Sequence, residues 1–334
     1  MWRLREKVVR RVLAVGLLAS LIIGGSVHTA RALGADAYPT RIIRIVVPLA
    51  AGGITDIVAR TVAERLQRAL GQPVVIENRT GGGGGIGAES VARSPADGYT
   101  LLMGTVSSNA INAPLYPNLR YDNIKDFAPI SLVASGPNML VVHPSIGART
   151  TAELIKFLKA NPGKYSYGSA GVGTSTHLLT ELFKQMTGTE ITHVPYRGSG
   201  PMMTDLIAGV VQMSFDNMPT ALAQVRAGNL RALGITSDER WPTLPDVPTV
   251  GETLPGFSGT SWQGLFAPTG VPEPILDRLS AEVQKILRDP EVVRQFLELG
   301  TRAGGNTRAE FAAFVKSETL HWAEMVKVSG AHVD

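Results

Sequence analysis

"RIIRIVVPLAAGGITDIVARTVAERLQRALGQPVVIE" (41–77) predicts a strand, a helix and a second strand in direct succession. The first β-rich run, 42–47, ends at Pro48 and is followed by a turn of small residues. Apolar positions then recur on one helical face, and Gly71 is a typical helix end before the second strand at 73–77. Because a helix joins the two strands, the segment favours a parallel sheet flanked by helices.

The same order of elements returns further along the chain. A glycine run and a short helix lead to a third β-rich run at 99–104, and a second series of strands and helices extends over 165–236. The chain ends in helical patterns, one of which begins with a capping box formed by Thr307 and Glu310. We therefore predict an α/β fold with two similar lobes.

Two β-rich segments outside these series are candidates for crossovers between the lobes. The first, 128–144, contains two β-rich runs, and the second, 256–268, would return the chain to the first lobe. On this basis lobe 1 comprises residues 38–137 and 256–334, and lobe 2 comprises residues 138–255.

The N-terminus has the composition of a secretory signal peptide. Five of its first eleven residues are Lys or Arg, and the apolar run that follows, 12–25, is too short to span a bilayer. Small residues allow cleavage after Ala32 or Ala37, and we favour Ala32, which makes 1–32 the signal peptide. A retained membrane anchor is the weaker alternative, because a span needs roughly 20 residues.

Charge and cysteine content narrow the class of protein. Residues 1–32 hold six of the 32 Lys and Arg side chains but one of the 28 acidic ones, so the remaining chain is nearly neutral. Without a dense basic run, the sequence predicts neither nucleic acid nor anionic lipid as a partner. The chain has no cysteine, which excludes disulfides, thiol nucleophiles and thiolate metal ligands.

Two strand-to-helix turns are candidates for binding an anion. The turns at 48–56 and 168–177 occupy equivalent places in the two series and combine glycines with Ser and Thr but no cation. In parallel α/β sheets ligands bind beyond the carboxyl ends of the strands, where helix N-termini favour negative charge. The pair therefore suits a small carboxylate, although each turn alone is equally compatible with a tight connection.

The glycine run at 81–85 superficially resembles a nucleotide-binding loop. Gly82, Gly84 and Gly87 fit a dinucleotide pattern, but the acidic residue expected near the end of the next strand is missing. The run also follows the second strand, whereas a dinucleotide loop follows the first. No hydrolase, metalloprotease or phosphate-loop motif is present, and the histidines are scattered. The sequence thus predicts no cofactor, no metal site and no catalytic residue.

A larger set of motifs carries a resemblance to a known family. In order from about residue 40 almost to the end, they are "RIIRIVVPLAAGGITDIVAR", "VVIENRTGGGGGIGAESVARSPADGYTLLMG", "YGSAGVGTSTHL", "VPYRGSGP", "FDNMPTAL", "RALGITSDERWPTLPDVPTVGE" and "GLFAPTGVPEPI". They resemble the periplasmic solute receptors of tripartite tricarboxylate transporters, the Bug or TctC family. The resemblance implies a periplasmic binding protein type II fold, with two α/β lobes that close on an organic anion and no cofactor.

The resemblance also implies a function, a location and a set of site residues. We expect a monomeric periplasmic protein that binds a mono-, di- or tricarboxylate, or an acidic amino acid, and delivers it to membrane transporter subunits. Presentation of the ligand to a sensor kinase, or an exported enzyme acting on a carboxylate, are the alternatives. The ligand carboxylate would lie between two loops formed by Ala51, Gly52, Gly53, Thr55 and Asp56 and by Ser169, Ala170, Gly171, Thr174 and Ser175.

Further candidates, which would determine ligand specificity, stand at the ends of predicted strands. They are Ser107, Ser108, Asn109, His177, Tyr196, Arg197 and Asp216. Arg197 would either pair with a second carboxylate or remain solvated. Asp216 would either accept from the ligand or cap the helix near Pro219. His177 lies in a first helical turn, where packing or capping competes with ligand contact.

Overall fold

The strand, helix and strand predicted at 41–77 are present in the computed structural model, which describes residues 38–331. Strand β1 (Ile43–Val47) leads into helix α1 (Ile54–Leu70), which ends at Gly71 in the left-handed region with φ 68°. Strand β2 (Val74–Asn78) then pairs with β1 in parallel. The predicted signal peptide, 1–32, and its cleavage site lie outside the described residues.

The other elements follow in chain order. They are α2 (Gly85–Ala92), β3 (Thr100–Thr105), α3 (Asn112–Leu115), β4 (Phe127–Val142), α4 (Thr151–Lys159), β5 (Ser166–Ser169), α5 (Ser175–Thr187), β6 (Thr192–Pro195), α6 (Ser199–Ile207), β7 (Met213–Asn217), α7 (Met218–Arg226), β8 (Arg231–Ile235), β9 (Thr260–Pro268), α8 (Glu273–Arg288), α9 (Pro290–Glu298), β10 (Arg302–Ala303) and α10 (Arg308–Ser329). Short 3₁₀ turns cover Gly82–Gly84 and Val250–Glu252, and a π-helical turn covers Ser107–Ile111.

Strand β4 differs from the sequence prediction, because 128–144 forms one long strand rather than two. It continues through Pro129 and Pro137, and irregular register near Pro129 and Leu132 accommodates the first of these prolines. Its first part pairs with β9 up to Pro137, and its last part, from Asn138, pairs with β7 on one side and β8 on the other. The strand therefore joins two groups of strands.

We call these groups sheet A and sheet B. Within residues 38–331 the strands follow the order β2-β1-β3-β9-β4-β7-β5-β6, with β10 and β8 both paired to β4. Sheet A contains β1, β2, β3, β9, β10 and the first part of β4, whereas sheet B contains β5 to β8 and the rest of β4. Most strands in each sheet are parallel to their neighbours except where β4 and β9 intervene, so the turns before α1 and α5 follow the carboxyl ends of β1 and β5.

Helix α10 covers the middle of the sheet. It begins with the predicted capping box, in which Thr307 and Glu310 exchange hydrogen bonds. Its Phe311 stacks edge-on against Trp262 of β9 with ring centroids 6.1 Å apart, and Glu318 accepts a 2.8 Å hydrogen bond from the Trp262 indole. Burial of these aromatic rings packs the C-terminal helix against β9 of sheet A. Among the described residues, no helix is both long and apolar enough to cross a bilayer.

Candidate functional site

The N-termini of α1 and α5 are free of side-chain caps. Gly53 precedes α1 and has no side chain to offer, while Thr174 precedes α5 but donates its hydroxyl to the Gly171 carbonyl at 2.6 Å. The first-turn N–H groups of a helix have no intrahelical partner and carry its partial positive charge. Two helix ends are thus open to an anion.

Three hydroxyl groups meet at these helix ends. Thr55 of α1, Ser107 of the π-helical turn after β3 and Ser175 of α5 are each 2–3% exposed. Among the hydrogen bonds of the described residues, 38–331, none involves these three hydroxyls. All three line one cavity with an empty volume of about 260 Å³, which we call the inner cavity. Since buried hydroxyls normally have partners, these three are available to a ligand or to water.

The inner cavity continues into a second cavity of about 180 Å³, which we call the distal cavity. Ile54, Asn217, Ser261 and Gln263 line both of them. No charged side chain lines either cavity within residues 38–331. The combined site is therefore small, neutral and lined by hydroxyl and amide groups together with apolar side chains.

A wider cavity of about 760 Å³, which we call the entrance cavity, shares Leu49 and Ala170 with the inner cavity and includes the glycine run, Tyr116, Tyr196 and Arg197. Here the loops of the two sheets touch. The Tyr116 hydroxyl donates to the Val172 carbonyl at 3.2 Å, and the Ala50 N–H donates to the Arg197 carbonyl at 3.3 Å. The glycine run packs against the same Val172 loop, since a Cβ atom on Gly83 would lie 2.6 Å from the Val172 oxygen.

The structure brings part of the predicted site together. Among the predicted residues, those that line the inner cavity are Thr55, Ser107, Ala170, Thr174 and Ser175. Those that line the entrance cavity are Ala170, Gly171, Tyr196 and Arg197. The predicted residues that line neither are Ala51, Gly52, Gly53, Asp56, Ser108, Asn109, Ser169, His177 and Asp216. Their contact with a ligand stays a prediction.

Several of these residues support the loops that line the cavity. Asp56 accepts hydrogen bonds from Arg60, Asn78 and the Gly52 N–H. Burial alone would raise the pKa of Asp56, but the hydrogen bonds from Arg60 and its other donors hold that pKa below the usual value. Ser108 bonds the Thr105 N–H at 3.0 Å and thereby fixes the end of β3. These side chains therefore hold the turns in place without lining the cavity.

Asp216 also lies behind the cavity, where it is fully buried in β7. Its carboxylate accepts from the Ser199 hydroxyl at 2.6 Å and from the Thr220 hydroxyl, which belong to the starts of α6 and α7. Burial raises the pKa of Asp216, while the two hydroxyl donors act in the opposite direction. The residue at the N-cap of α7 is Asn217, and its side chain makes no cap hydrogen bond.

Sequence reasoning missed Leu49, Ile54, Thr105, Val106, Thr176, Asn217, Ser261 and Gln263, all of which line the inner cavity. A signal existed for two of them, because Ser261 and Gln263 alternate as polar residues in the otherwise mostly apolar β9. Side chains two apart on a strand share a face. Asn217 carries a weaker signal, as a polar residue at the end of the buried strand β7.

A stack of three rings supports the loop 169–174. His193 lies between Tyr167 and His177, with ring centroids 4.6 and 4.4 Å away. Its Nε2 is 2.7 Å from the Ser169 hydroxyl, which in turn accepts from the Gly171 N–H. Burial lowers the pKa of His193 to about 4, and the neighbouring His177 acts in the same direction. In the folded protein the His193 imidazole is therefore neutral at neutral pH.

We expect the stability of the protein to fall as the pH drops from the ordinary histidine pKa of 6.5 towards 4, in part because of His193. In that window the unfolded chain takes up a proton that the folded His193 does not, so protonation favours unfolding. Urea unfolding of the wild type and of His193→Gln across this range measures the effect. The variant should lose less stability on acidification; equal losses in both proteins would contradict the assignment.

The two sheets, flanked by helices and enclosing a neutral cavity at two helix N-termini, define a solute-binding protein of the two-lobed α/β class. The chain belongs to the TctC family, described as the tripartite tricarboxylate transporter family receptor, which matches residues 58–330. Among curated relatives, protein BugT of Bordetella pertussis is 40% identical over 301 residues, or 90% of this chain and 92% of BugT. A UPF0065 protein from the tcbD-tcbE intergenic region of Pseudomonas sp. strain P51 is 39% identical over 93% of each chain.

Solved structures are similar to most of the chain. R. palustris Rpa4515 with adipate has 39% identity and a TM-score of 0.86, covering 89% of this chain and 100% of that one. The periplasmic binding protein BugD has 36% identity and a TM-score of 0.85, with 88% and 99% covered. MatC from Rhodopseudomonas palustris with bound malate has 33% identity and a TM-score of 0.83, with 86% and 100% covered. The predictions of the family, the type II fold and a receptor rather than an enzyme are confirmed.

Proposed function

We propose that this protein is a periplasmic receptor that captures a small organic carboxylate in the inner cavity and delivers it to a membrane transporter. One observation carries the proposal: the uncapped N-termini of α1 and α5 converge with the unpartnered hydroxyls of Thr55, Ser107 and Ser175. Donors without partners, on two positive helix ends, are what a carboxylate requires. Two of the similar structures hold adipate and malate, which are small carboxylates.

The energetics of such a site fit a reversible receptor. Each helix N-terminus contributes about 0.3–2 kcal/mol to binding an anion, and each hydrogen bond to a charged group about 1.5–3 kcal/mol. Since no cationic side chain lines the cavities in the described range 38–331, the carboxylate charge is met by N–H and O–H dipoles. A receptor must release its ligand to a transporter, and this arrangement binds without a buried ion pair.

We further propose that lobe 1 comprises residues 38–137 and 256–334 and lobe 2 comprises residues 138–255. The change of partner along β4, which occurs between Pro137 and Asn138, supports the first boundary. The contacts of Tyr116 with Val172 and of Ala50 with Arg197 then join the two lobes at the entrance. A ligand that touches both lobes favours the closed state in proportion to its differential affinity.

The location and assembly of the protein belong to the same proposal. Its N-terminal composition favours a signal peptide over residues 1–32, cleaved after Ala32, and hence export to the periplasm. Similar proteins of known structure are described as a periplasmic transporter and as the periplasmic binding protein BugD. The mature receptor acts as a monomer that carries its ligand to transporter subunits in the membrane.

A ligand screen tests the function. Mature protein, freed of co-purified ligand, is mixed with mono-, di- and tricarboxylates and acidic amino acids, and its thermal unfolding is followed. We expect at least one acid to raise the melting temperature in a dose-dependent way, because a ligand that binds the native state stabilises it by mass action. The esters or amides of the same acids serve as matched controls and should have no effect. If no acid stabilises the protein, the proposed function is wrong.

A further inference from the structure

Asn217 has an unsatisfied acceptor at the junction of the two cavities. Asn217 as a residue is only 8% exposed, and it lines both the inner and the distal cavity. The Oδ1 atom has no hydrogen-bond partner in the described range 38–331. A buried amide oxygen without a partner destabilises the site unless a ligand or water donates to it.

The neighbouring residues fix which way this amide points. The Ser199 hydroxyl gives its only hydrogen to Asp216 Oδ1 at 2.6 Å, so towards Asn217 it acts as an acceptor alone. The Asn217 Nδ2 group lies 3.4 Å from that Ser199 oxygen and donates to it. Rotating the amide by 180° would bring two acceptors together. Hence Oδ1 is the atom of Asn217 that is left for the cavity.

Three donors near Asn217 are already in use. Asp216 takes the hydroxyls of Ser199 and Thr220 and also the backbone N–H of Asn217, all at the starts of α6 and α7. These groups are therefore unavailable to a second anionic group of a ligand. Pro219, the second residue of α7, has no N–H to offer. At Asn217 the distal cavity thus presents an acceptor, while the Ser261 hydroxyl and the Gln263 amide line both cavities.

Charge balance gives the same result. A helix N-terminus is equivalent to roughly half a positive charge, so α1 and α5 together balance about one carboxylate. The N-terminus of α7 lies at the distal cavity, but the Asp216 carboxylate already accepts hydrogen bonds there from Thr220 and from the Asn217 N–H. No cationic side chain lines either cavity within the described residues, and Arg197 lies at the entrance instead. A second buried carboxylate would lack a counter-charge, which is costly inside a protein.

From this juxtaposition we infer that the preferred ligand is a monocarboxylate with a hydrogen-bond donor, a hydroxyl or an amino group, at its far end, and that Asn217 Oδ1 selects it. The inference rests on the proposed function and specifies its ligand class.

Calorimetric titration with matched ligand series tests the inference. Each series contains four acids of one chain length, between four and six carbons, that differ only in the group at the far end of the chain. They are the plain acid, the terminal hydroxy acid, the terminal amino acid and the dicarboxylate. At the best chain length we expect the hydroxy or amino acid to bind about tenfold tighter than the plain acid and the dicarboxylate, as one satisfied acceptor implies. Comparison of the hydroxy and amino acids shows which donor is used.

The variant Asn217→Ala should reduce that preference to less than about twofold, since the acceptor that distinguishes the two ligands is removed. Asn138→Ala is the matched control. Asn138 of β4 pairs with Asn217 of β7 and also has an Oδ1 atom without a partner in the described part of the chain, yet it lines neither cavity. Its preference should equal that of the wild type.

The outcomes separate the two proposals. A dicarboxylate that binds most tightly at every chain length would overturn the inference while the receptor function stands, and this wild-type result does not depend on any variant folding. Equal binding of plain and hydroxy acids, which means that water satisfies Asn217, would also overturn it. Unchanged preference in Asn217→Ala would assign the selection to another residue. If no acid binds in any series, the proposed function itself fails, and the inference fails with it.

Discussion

Replacing Thr55 and Ser175 together by alanine is expected to lower the affinity for the carboxylate by about two orders of magnitude or more, because each hydrogen bond to a charged group contributes about 1.5–3 kcal/mol. The free energy of unfolding should change little. Neither hydroxyl bonds another residue in the described part of the chain, so truncation breaks no contact within the fold. Calorimetric titration with the acid found by the screen, together with urea unfolding, measures both quantities.

A second pair of substitutions on the same helices provides the control. Thr61 of α1 and Thr180 of α5 are buried, but their hydroxyls bond the backbone carbonyls of Ile57 and Thr176 and do not line the cavity. Thr61→Ala with Thr180→Ala should therefore leave the affinity unchanged. Full affinity in the Thr55→Ala and Ser175→Ala protein would mean that the ligand lies elsewhere.

The single variants show how the two loops act. Thr55 is the second residue of α1, which follows β1 of sheet A, and Ser175 begins α5, which follows β5 of sheet B. The two hydroxyls therefore come from helices attached to different sheets. If the ligand closes the two lobes on itself, either substitution alone removes part of the bridge. The losses of binding free energy in the two single variants should then not sum to the loss in the double variant, as is usual for groups that share one partner.

Local signals explain why much of the fold could be predicted from the sequence. The end of α1 at Gly71 follows from the left-handed conformation there, and the capping box at Thr307 follows from residue types three apart. The turns that contain Thr55 and Ser175 were predictable for a similar reason. Each directly follows a strand within the same strand–helix unit, so the sequence itself indicates which end of the sheet it occupies.

Long-range placement explains what could not be predicted. Ser261 and Gln263 reach the cavity because β9 pairs with β3 and β4, which lie more than a hundred residues earlier in the chain. The alternation of Ser261 and Gln263 marks one face of β9, but only this long-range pairing determines which other elements that face meets. The 16-residue β4 was predicted as two runs because Gly136 and Pro137 resemble a break. Pairing on both sides keeps the strand continuous.

The glycine run shows the same limit. Its composition predicts a tight turn but does not indicate which residues the turn contacts. The position of the run after the second strand and the missing acidic residue argue against a nucleotide site there. The partner is the loop at Val172, which follows β5 some ninety residues later. Gly83 has to be glycine for two reasons, its φ of 57° and the lack of room for a Cβ atom.

The variant Gly83→Ala is expected to lower ligand affinity about tenfold or more by opposing closure, because forcing an atom into a packed contact costs about 1–3 kcal/mol. The added Cβ would lie 2.6 Å from the Val172 oxygen, and this backbone contact joins the proposed lobes. Separation of the loops would relieve the clash. Gly83 lines the entrance cavity and not the inner one, so the binding groups around Thr55 and Ser175 stay intact.

The neighbouring glycine separates closure from backbone strain. Gly82 has almost the same conformation, φ 55° against 57°, but an added Cβ there meets no atom within 4 Å. Gly82→Ala therefore carries the cost of a left-handed alanine without the clash and should bind more tightly than Gly83→Ala. Small-angle scattering with saturating ligand should show compaction in the wild type and in Gly82→Ala, with less in Gly83→Ala. If the two variants bind and compact alike, the glycine run is a strained turn and does not control closure; if they differ, the absence of one methyl group at Gly83 permits the lobes to close.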